Sequence, residues 1–365
     1  MKPVNVAMIG VGSISGIYLK NLHGVFQNEL RLVGVCDLVR ERAEKAQKDY
    51  NVPKLYETMH EAFADPEVEV VLNLTRPYEH FGVSKAAIAA GKNVYSEKPL
   101  GASFEEGAEL IRLAGEKGVL YGGAPDTFLG AGIQQCRKLI DSGAIGTPVG
   151  AAGFMICRGH ETWHPDPDFY YQYGGGPMMD MGPYYVTALV NMLGRVKSVQ
   201  AVTKASFPHR LITSQPHFGA VVDVHVPTFY EGILEFESGA IGSLFTTFDV
   251  HYPFQARLEV YGSEGTLFVP DPNCFDGEIK LYKPGMSEPQ VVSERDFGFR
   301  ENSRGLGLAD FARKLRGEQS EARADAQQIY HVLEILTSFE KASDARAAID
   351  LQTPYTRRAP LGEKA

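Results

Sequence analysis

A chain of 365 residues, 44% hydrophobic and 22% charged, has the composition of an ordinary globular protein, and at roughly 150 residues per domain it predicts two domains. That balance excludes disordered, collagen-like and disulfide-scaffold classes. Lys+Arg 36 against Asp+Glu 45 leaves a formal charge of −9, and with no basic block to neutralise a phosphate backbone, nucleic acid is not an expected partner.

Short apolar runs at Val4–Ile9, Leu30–Cys36, 68–74, Asn93–Ser96 and 119–122 read as strands. Helix-period segments at 14–25, 39–50, 80–90 and Phe104–Lys117 alternate with them, the last opened by Ser103 as N-cap. Such alternation predicts a doubly wound, Rossmann-type parallel sheet over residues 1–123, with a second domain over 124–365. After a helix near 134–142 the pattern turns to strands. Leu234-Glu235-Phe236-Glu237 alternates, Ser238-Gly239 supplies a turn, 241–250 continues as the partner strand, and 257–261 alternates again before Gly262 and Gly265. The second domain is therefore expected to be α/β, with a largely antiparallel sheet that has one wet or partner-covered face. Late helices near 307–316 and 325–343 are expected to pack back on that sheet or on the first domain. Residues 207–227, rich in His and Pro, read either as a long loop or as a strand extension.

The first strand runs into Gly10-Val11-Gly12-Ser13-Ile14-Ser15-Gly16, and Asp37 ends the second. Gly10 allows a tight turn, Gly12 lets backbone approach a pyrophosphate, and the helix that opens near Ser13 and Ile14 offers N–H groups and a favourable dipole. Ser15 stands where a third glycine is usual. Asp37 is placed to accept hydrogen bonds from ribose hydroxyls, which favours NAD over NADP, although Arg40 lies close by. The competing reading is a plain turn followed by a helix cap.

Cys36, Cys136, Cys157 and Cys274 lack the close spacing of a zinc or redox site, which fits a reducing, cytoplasmic compartment. No apolar run approaches the roughly 18 residues of a membrane span, and the start of the chain lacks an export signal's pattern. Neither a membrane partner nor a catalytic metal is expected.

Three further segments narrow the reading: Thr75-Arg76-Pro77-Tyr78-Glu79-His80, Glu97-Lys98-Pro99, and Gly174 through Tyr184 with its run Asp180-Met181-Gly182-Pro183-Tyr184. Together they resemble the Gfo/Idh/MocA family of pyridine-nucleotide oxidoreductases over nearly the whole chain. The resemblance implies a Rossmann domain followed by an open-faced sheet used in dimers or tetramers. It also implies a catalytic role for Lys98, a cis Lys98–Pro99 peptide, and a cofactor cleft lined by Thr75, Arg76, His80 and Glu97. Many members carry an aspartate followed four residues on by a histidine; here Asp180 is followed by Tyr184, as in members where tyrosine serves as acid/base. Residues four apart share one helix face, yet Pro183 suits only a helix start, which would leave Asp180 in a preceding turn.

Oxidation of an alcohol by NAD needs a base for the hydroxyl proton. A tyrosine, whose phenol ordinarily titrates at about pH 10, becomes useful beside an ammonium group. Tyr184 is therefore read as the proton acceptor, Lys98 as the stabiliser of developing charge or itself the base, and Asp180 as the group that orients both. Asp126, His160 and Trp163 are candidate carbohydrate contacts, Asp126 with a turn residue as its alternative. The expected substrate is a small carbohydrate: an aldose oxidised at C1 to a lactone or aldonate, or a glycoside, anhydrosugar or polyol oxidised at C3. A regulatory protein that senses NAD and sugar without turnover is the reading of another class.

Overall fold

The computed structural model describes residues 2–251 and 257–362. The chain divides into two compact units, one of residues 1–126 with 302–330, the other of 127–301 with 331–365.

The first unit is built on a six-stranded, all-parallel sheet of β1 (Val4–Ile9), β2 (Leu30–Cys36), β3 (Lys54–Leu55), β4 (Val70–Asn73), β5 (Asn93–Ser96) and β6 (Tyr121–Gly123), in the order β3-β2-β1-β4-β5-β6. All six residues of β1 are buried, as expected of a strand covered on both faces. The crossovers are α1 (Ser15–His23), α2 (Arg40–Tyr50), α3 (Met59–Ala64), α4 (His80–Ala89) and α5 (Phe104–Lys117). Ser103 caps α5 as expected, its side chain accepting from Glu106 N, and Gly118 ends the helix in the left-handed conformation. The reversal of strand order beside β1 creates the crevice at the carboxyl ends of β1 and β4 where this architecture binds ligands.

The contiguous division at residue 123 needs correction. Residues 302–330, assigned to the second domain from sequence, belong to the first unit. They bring α9 (Leu306–Leu315) and a strand-like contact against β6, where Gly122 bridges Asp325 and Gly123 N donates to Ala324 O at 3.1 Å. A side chain on Gly122 would meet Ala324 O and the Phe311 ring. Phe311 itself lies edge-on to Tyr95 with centroids 6.1 Å apart, both fully buried.

In the second unit, α6 (Ala131–Asp141) leads into a large sheet. Its strands are β7 (Pro148–Ile156), β8 (Val196–Lys204), β11 (Phe229–Phe236), β12 (Ile241–Thr247), β13 (Leu258–Gly262), β14 (Gly265–Val269), β15 (Lys280–Tyr282), β16 (Gln290–Val291) and β17 (Ile349–Asp350), with β9 (His209–Leu211) and β10 (Val221–Asp223) forming a separate hairpin. The nine strands of the large sheet are ordered β16-β15-β14-β13-β7-β12-β11-β8-β17. Every pairing in it is antiparallel except β7 with β12. In β11 the alternation is plain: Tyr230, Gly232, Leu234 and Phe236 are buried while Glu231 and Ile233 are exposed. Behind the buried face, Tyr230 donates to Glu340 of α10 (Ala326–Ala345) at 2.8 Å. The other face leaves Val202, Ile233 and Ile241 exposed. α7 (Gly176–Asp180) packs on β11 and β12, and α8 (Gly182–Leu193), buried along its whole length, packs on β7 and on α6.

No helix among the described residues is long and apolar enough to cross a membrane.

Candidate active site

The glycine turn after β1 is built for close approach. Gly10 has φ +94°, and a Cβ there would press on Leu74 O and Thr75 N at 2.7 and 2.9 Å. A Cβ on Gly12 would meet nothing within 4 Å, so the backbone there opens onto free space. Ser13 is exposed and Ile14 half-buried at the mouth of α1. That helix begins with no side-chain cap and no acidic residue in its first turn, so its N–H groups face outward in a field that favours an anion. Ser15, in place of the third glycine, is buried and donates through Oγ to Gly12 O at 2.7 Å, tightening the turn. These features fit the pyrophosphate of a dinucleotide.

Asp37 closes the turn from the β2 side. Its Oδ2 accepts from Val11 N at 2.6 Å and its Oδ1 from Val39 N at 2.7 Å. The nearby Arg40 is engaged by Glu44 at 2.7 Å and by Glu57. Arg40 is thus already paired with two carboxylates and less available to a 2′-phosphate, in keeping with NAD.

At the end of β4, Thr75 donates through Oγ1 to Asn73 Oδ1 at 2.6 Å. Asn73, not singled out in the sequence, is fully buried and also donates to His80 O and Ser84 Oγ at 3.1 and 3.0 Å. Arg76 is exposed, with Nη1 donating to Tyr78 Oη at 3.0 Å. His80 differs from expectation. It is only 1% exposed, and its ring nitrogens lie 2.8 Å from Pro99 O and 3.0 Å from Thr75 O. Burial holds its pKa down even though both carbonyls favour the charged ring. It ties the two loops together from beneath, in place of lining the cleft.

The Lys98–Pro99 peptide is cis, as the resemblance implied. Lys98 is half-buried at the end of β5, and its backbone N–H donates to Glu97 Oε2 at 3.1 Å. The other oxygen of Glu97 accepts from Tyr18 at 2.8 Å, a buried bond between β5 and α1. Burial, with Glu97 nearby, drives the Tyr18 phenol well above its ordinary value, so it stays a donor. Asp126 also departs from its expected place. It is 1% exposed, and its Oδ2 accepts from Gly305 N and Gly307 N at 2.8 and 3.0 Å. The carboxylate holds the N-terminus of α9, a turn-type role in place of sugar binding.

In the second unit, Pro183 stands at a helix start, as its place in the sequence indicated, and Asp180 and Tyr184 do not share one helix face. The helix breaks at Met181: Asp180 ends α7, Pro183 sits in the first turn of α8, and Tyr184 N donates to Met181 O at 3.1 Å. Tyr184 is 7% exposed and Asp180 half-buried. His160, in the short turn His160–Thr162, comes within 3.4 Å of Asp180 Oδ2 through Nε2. Its ring stacks on Tyr170 at 3.8 Å and lies 5.2 Å from Trp163, which is 62% exposed. His160, Trp163 and Asp180 are thereby brought together as a polar pair flanked by aromatic faces. Tyr170 was missed because nothing in its local sequence marks it. Among the described residues no group of three or more His, Cys, Asp or Glu side chains is arranged to hold a metal.

Residues 4–123 match the family model described as oxidoreductase family, NAD-binding Rossmann fold, and residues 133–268 match the C-terminal domain model of GFO/IDH/MocA proteins. A scyllo-inositol 2-dehydrogenase (NAD(+)) of Bacillus subtilis is 27% identical over 73% of this chain and 73% of its own length. A trans-1,2-dihydrobenzene-1,2-diol dehydrogenase of Mus musculus is 25% identical over 96% of this chain and 98% of its own. Among solved structures, a levoglucosan dehydrogenase in its apo form superposes with a TM-score of 0.83 at 19% identity, covering 97% of this chain and 100% of that one.

Proposed function

Because the chain belongs to the Gfo/Idh/MocA oxidoreductases and carries their NAD-binding Rossmann domain, we propose that it oxidises a secondary alcohol or hemiacetal carbon of a small carbohydrate. The observation that carries this reading is the His160–Asp180 pair, 3.4 Å apart and flanked by Tyr170 and Trp163, a short step in sequence from Tyr184. Hydroxyl-binding groups beside aromatic faces suit a polyol ring, whose axial C–H surface packs on an aromatic while its hydroxyls bond to carboxylate and imidazole.

Bound NAD would accept a hydride, held by Gly10, Gly12, Ser13, Ile14, Asp37 and Thr75. The remaining chemistry falls to the chain's own side chains. Tyr184 takes the hydroxyl proton, Lys98 stabilises the developing negative charge, and Asp180 orients the hydroxyl with His160 beside it. The reverse assignment, with Lys98 as base, uses the same groups.

For the carbon attacked, the first reading is C1 of an aldose, with a branched aldose such as D-apiose as the leading candidate and a lactone as product. The second is oxidation of a ring carbon, C3 of a glycoside, anhydrosugar or polyol. It is favoured by the similarity to an inositol dehydrogenase, since an inositol has no hemiacetal carbon. NADH formation across aldoses, branched aldoses, polyols and glycosides, with NAD and NADP in parallel and Lys98→Ala as control, tests the reading. A product that hydrolyses to an acid marks C1, and a stable keto sugar marks a ring carbon. Tight NAD binding with no turnover on any substrate, in either direction, would replace the enzyme with a sensor.

We also propose a homodimer or homotetramer in the cytoplasm. Val202, Ile233 and Ile241 lie exposed on one face of the sheet, and an apolar face of that kind is covered most simply by a second copy of itself. A monomeric mass by light scattering at micromolar concentration would remove that proposal.

A further inference from the structure

The excursion between β8 and β11, which has no part in the chemistry above, folds as the hairpin of β9 and β10, closed by Ile212 N donating to Ala220 O at 2.8 Å. From it, several hydrogen bonds reach the segment that carries His160 and Trp163. Thr213 N and Ser214 N donate to Glu161 O at 2.8 and 3.2 Å. Ser214 Oγ donates to His164 O at 2.6 Å, and Arg210 Nη1 to Glu161 Oε1 at 2.8 Å.

Arg210 is the centre of this arrangement. Its side chain has no exposed surface, yet it pairs with two acids, Glu161 and Asp249, and donates to Phe248 O at 3.2 Å. Its guanidinium lies 5.0 Å from the centroid of the Tyr171 ring. Tyr171 in turn donates to the second oxygen of Glu161, and Thr228 donates to the second oxygen of Asp249 at 2.9 Å. Burial pushes the Glu161 carboxyl up, but the bonds from Tyr171 and Arg210 outweigh it and keep the group ionised. Gly159 stands against this network, where a Cβ would run into Tyr171, Glu161 and Arg210. Burying three charges carries a desolvation penalty that apolar packing would avoid, so a network of this kind is better explained by the single geometry it enforces than by stability.

We propose that Arg210 is a positioning residue, and its hairpin a strap, which hold residues 157–164 so that His160 meets Asp180 and Trp163 stands at a fixed place beside them. The proposal rests on the reading that this segment binds the substrate. It assigns specificity to a hairpin that touches no reacting group.

Trp163 is the sole tryptophan of the chain and reports on the strap directly. The experiment compares Ser214→Ala, which removes one hydroxyl, and Arg210→Lys, which cannot serve two carboxylates in fork geometry, with the unaltered protein. It reads nanosecond anisotropy decay of Trp163 without NAD, the Kd for NADH, and kcat and KM on the best substrate of the panel. The expected result is a larger fast-decay amplitude and a KM raised about three- to tenfold by loss of one hydrogen bond, with kcat and the Kd for NADH kept within about twofold. Unchanged decay in a folded Ser214→Ala protein and in any folded Arg210→Lys protein overturns the strap. Faster decay with an unchanged KM upholds the strap and overturns the substrate reading of the segment.

Discussion

Asp126→Asn tests the anchoring role of Asp126 by two independent measurements. Burial pushes this carboxyl up to about 6, against the pull of Gly307 N–H, the Arg304 charge and Gly305 N–H, from an ordinary value of 3.8. A rise of about two units corresponds to roughly 3 kcal/mol of differential stability. The sign follows from which state binds the proton. An acid whose folded pKa is raised stabilises the fold fully below its unfolded pKa, near 3.8, and loses that contribution as pH climbs through about 6. Asparagine keeps an acceptor for Gly305 N and Gly307 N but does not titrate. The difference in stability, variant minus wild type, should therefore rise by up to about 3 kcal/mol between pH 4 and pH 7.5, whatever its absolute offset. At about 2–4 °C per kcal/mol in a domain of this size, differential scanning at matched rates resolves it, and titrations common to both proteins cancel. Because the carboxylate is buried on the α9 backbone, KM for the carbohydrate should change less than about twofold. A flat difference across that pH range refutes the burial argument, and a KM raised tenfold or more returns Asp126 to the substrate.

Gly10→Ala should abolish detectable NAD binding by calorimetry, since the new Cβ meets Leu74 O at 2.7 Å in a backbone conformation that L residues rarely adopt; wild-type affinity would contradict the cradle. Asp37→Ala should narrow the preference for NAD over NADP, read as the ratio of kcat/KM values, because it removes the carboxylate at the end of β2 that would accept from ribose hydroxyls and repel a 2′-phosphate. Lys98→Ala and Tyr184→Phe should each retain NADH binding while kcat falls on the order of 10²–10⁴, and unchanged rates in both would end the proposed mechanism. Tyr18→Phe leaves Glu97 without its buried donor at 2.8 Å and should lower thermal stability by the equivalent of about 1–3 kcal/mol; an unaltered Tm would show that this bond holds nothing in place.

The parts of the first unit that were legible are those set by neighbours in sequence. Glycines at fixed offsets after an apolar strand, an acid at the end of the next strand, and Ser103 before an amphipathic run each carry their geometry within a few residues. What escaped was either too short or too distant. Lys54–Leu55 and Met59–Ala64 fall below the length at which periodicity can be recognised. Asp126 is bonded to groups 179 and 181 residues away, so the turn in which it sits gives no sign that it anchors α9. The late helices were expected on either domain, and nothing local in 302–330 decides for β6.

The two sets of candidate residues differ in the same way. Those proposed to hold the cofactor lie in backbone turns, and a turn is specified by the residues that form it. Those proposed to bind the carbohydrate are side chains whose positions are set from elsewhere. His160 is placed by the stack on Tyr170 and by Asp180 twenty residues on, and the segment that carries it is held by Thr213, Ser214 and Arg210. On the proposed reading, a substitution at any of these is expected to alter sugar preference without disturbing the glycine turn after β1. Substrate preference is thus free to change within a constant redox framework, and for this chain the residues that decide it are to be sought in the 207–224 hairpin as much as in the motif residues themselves.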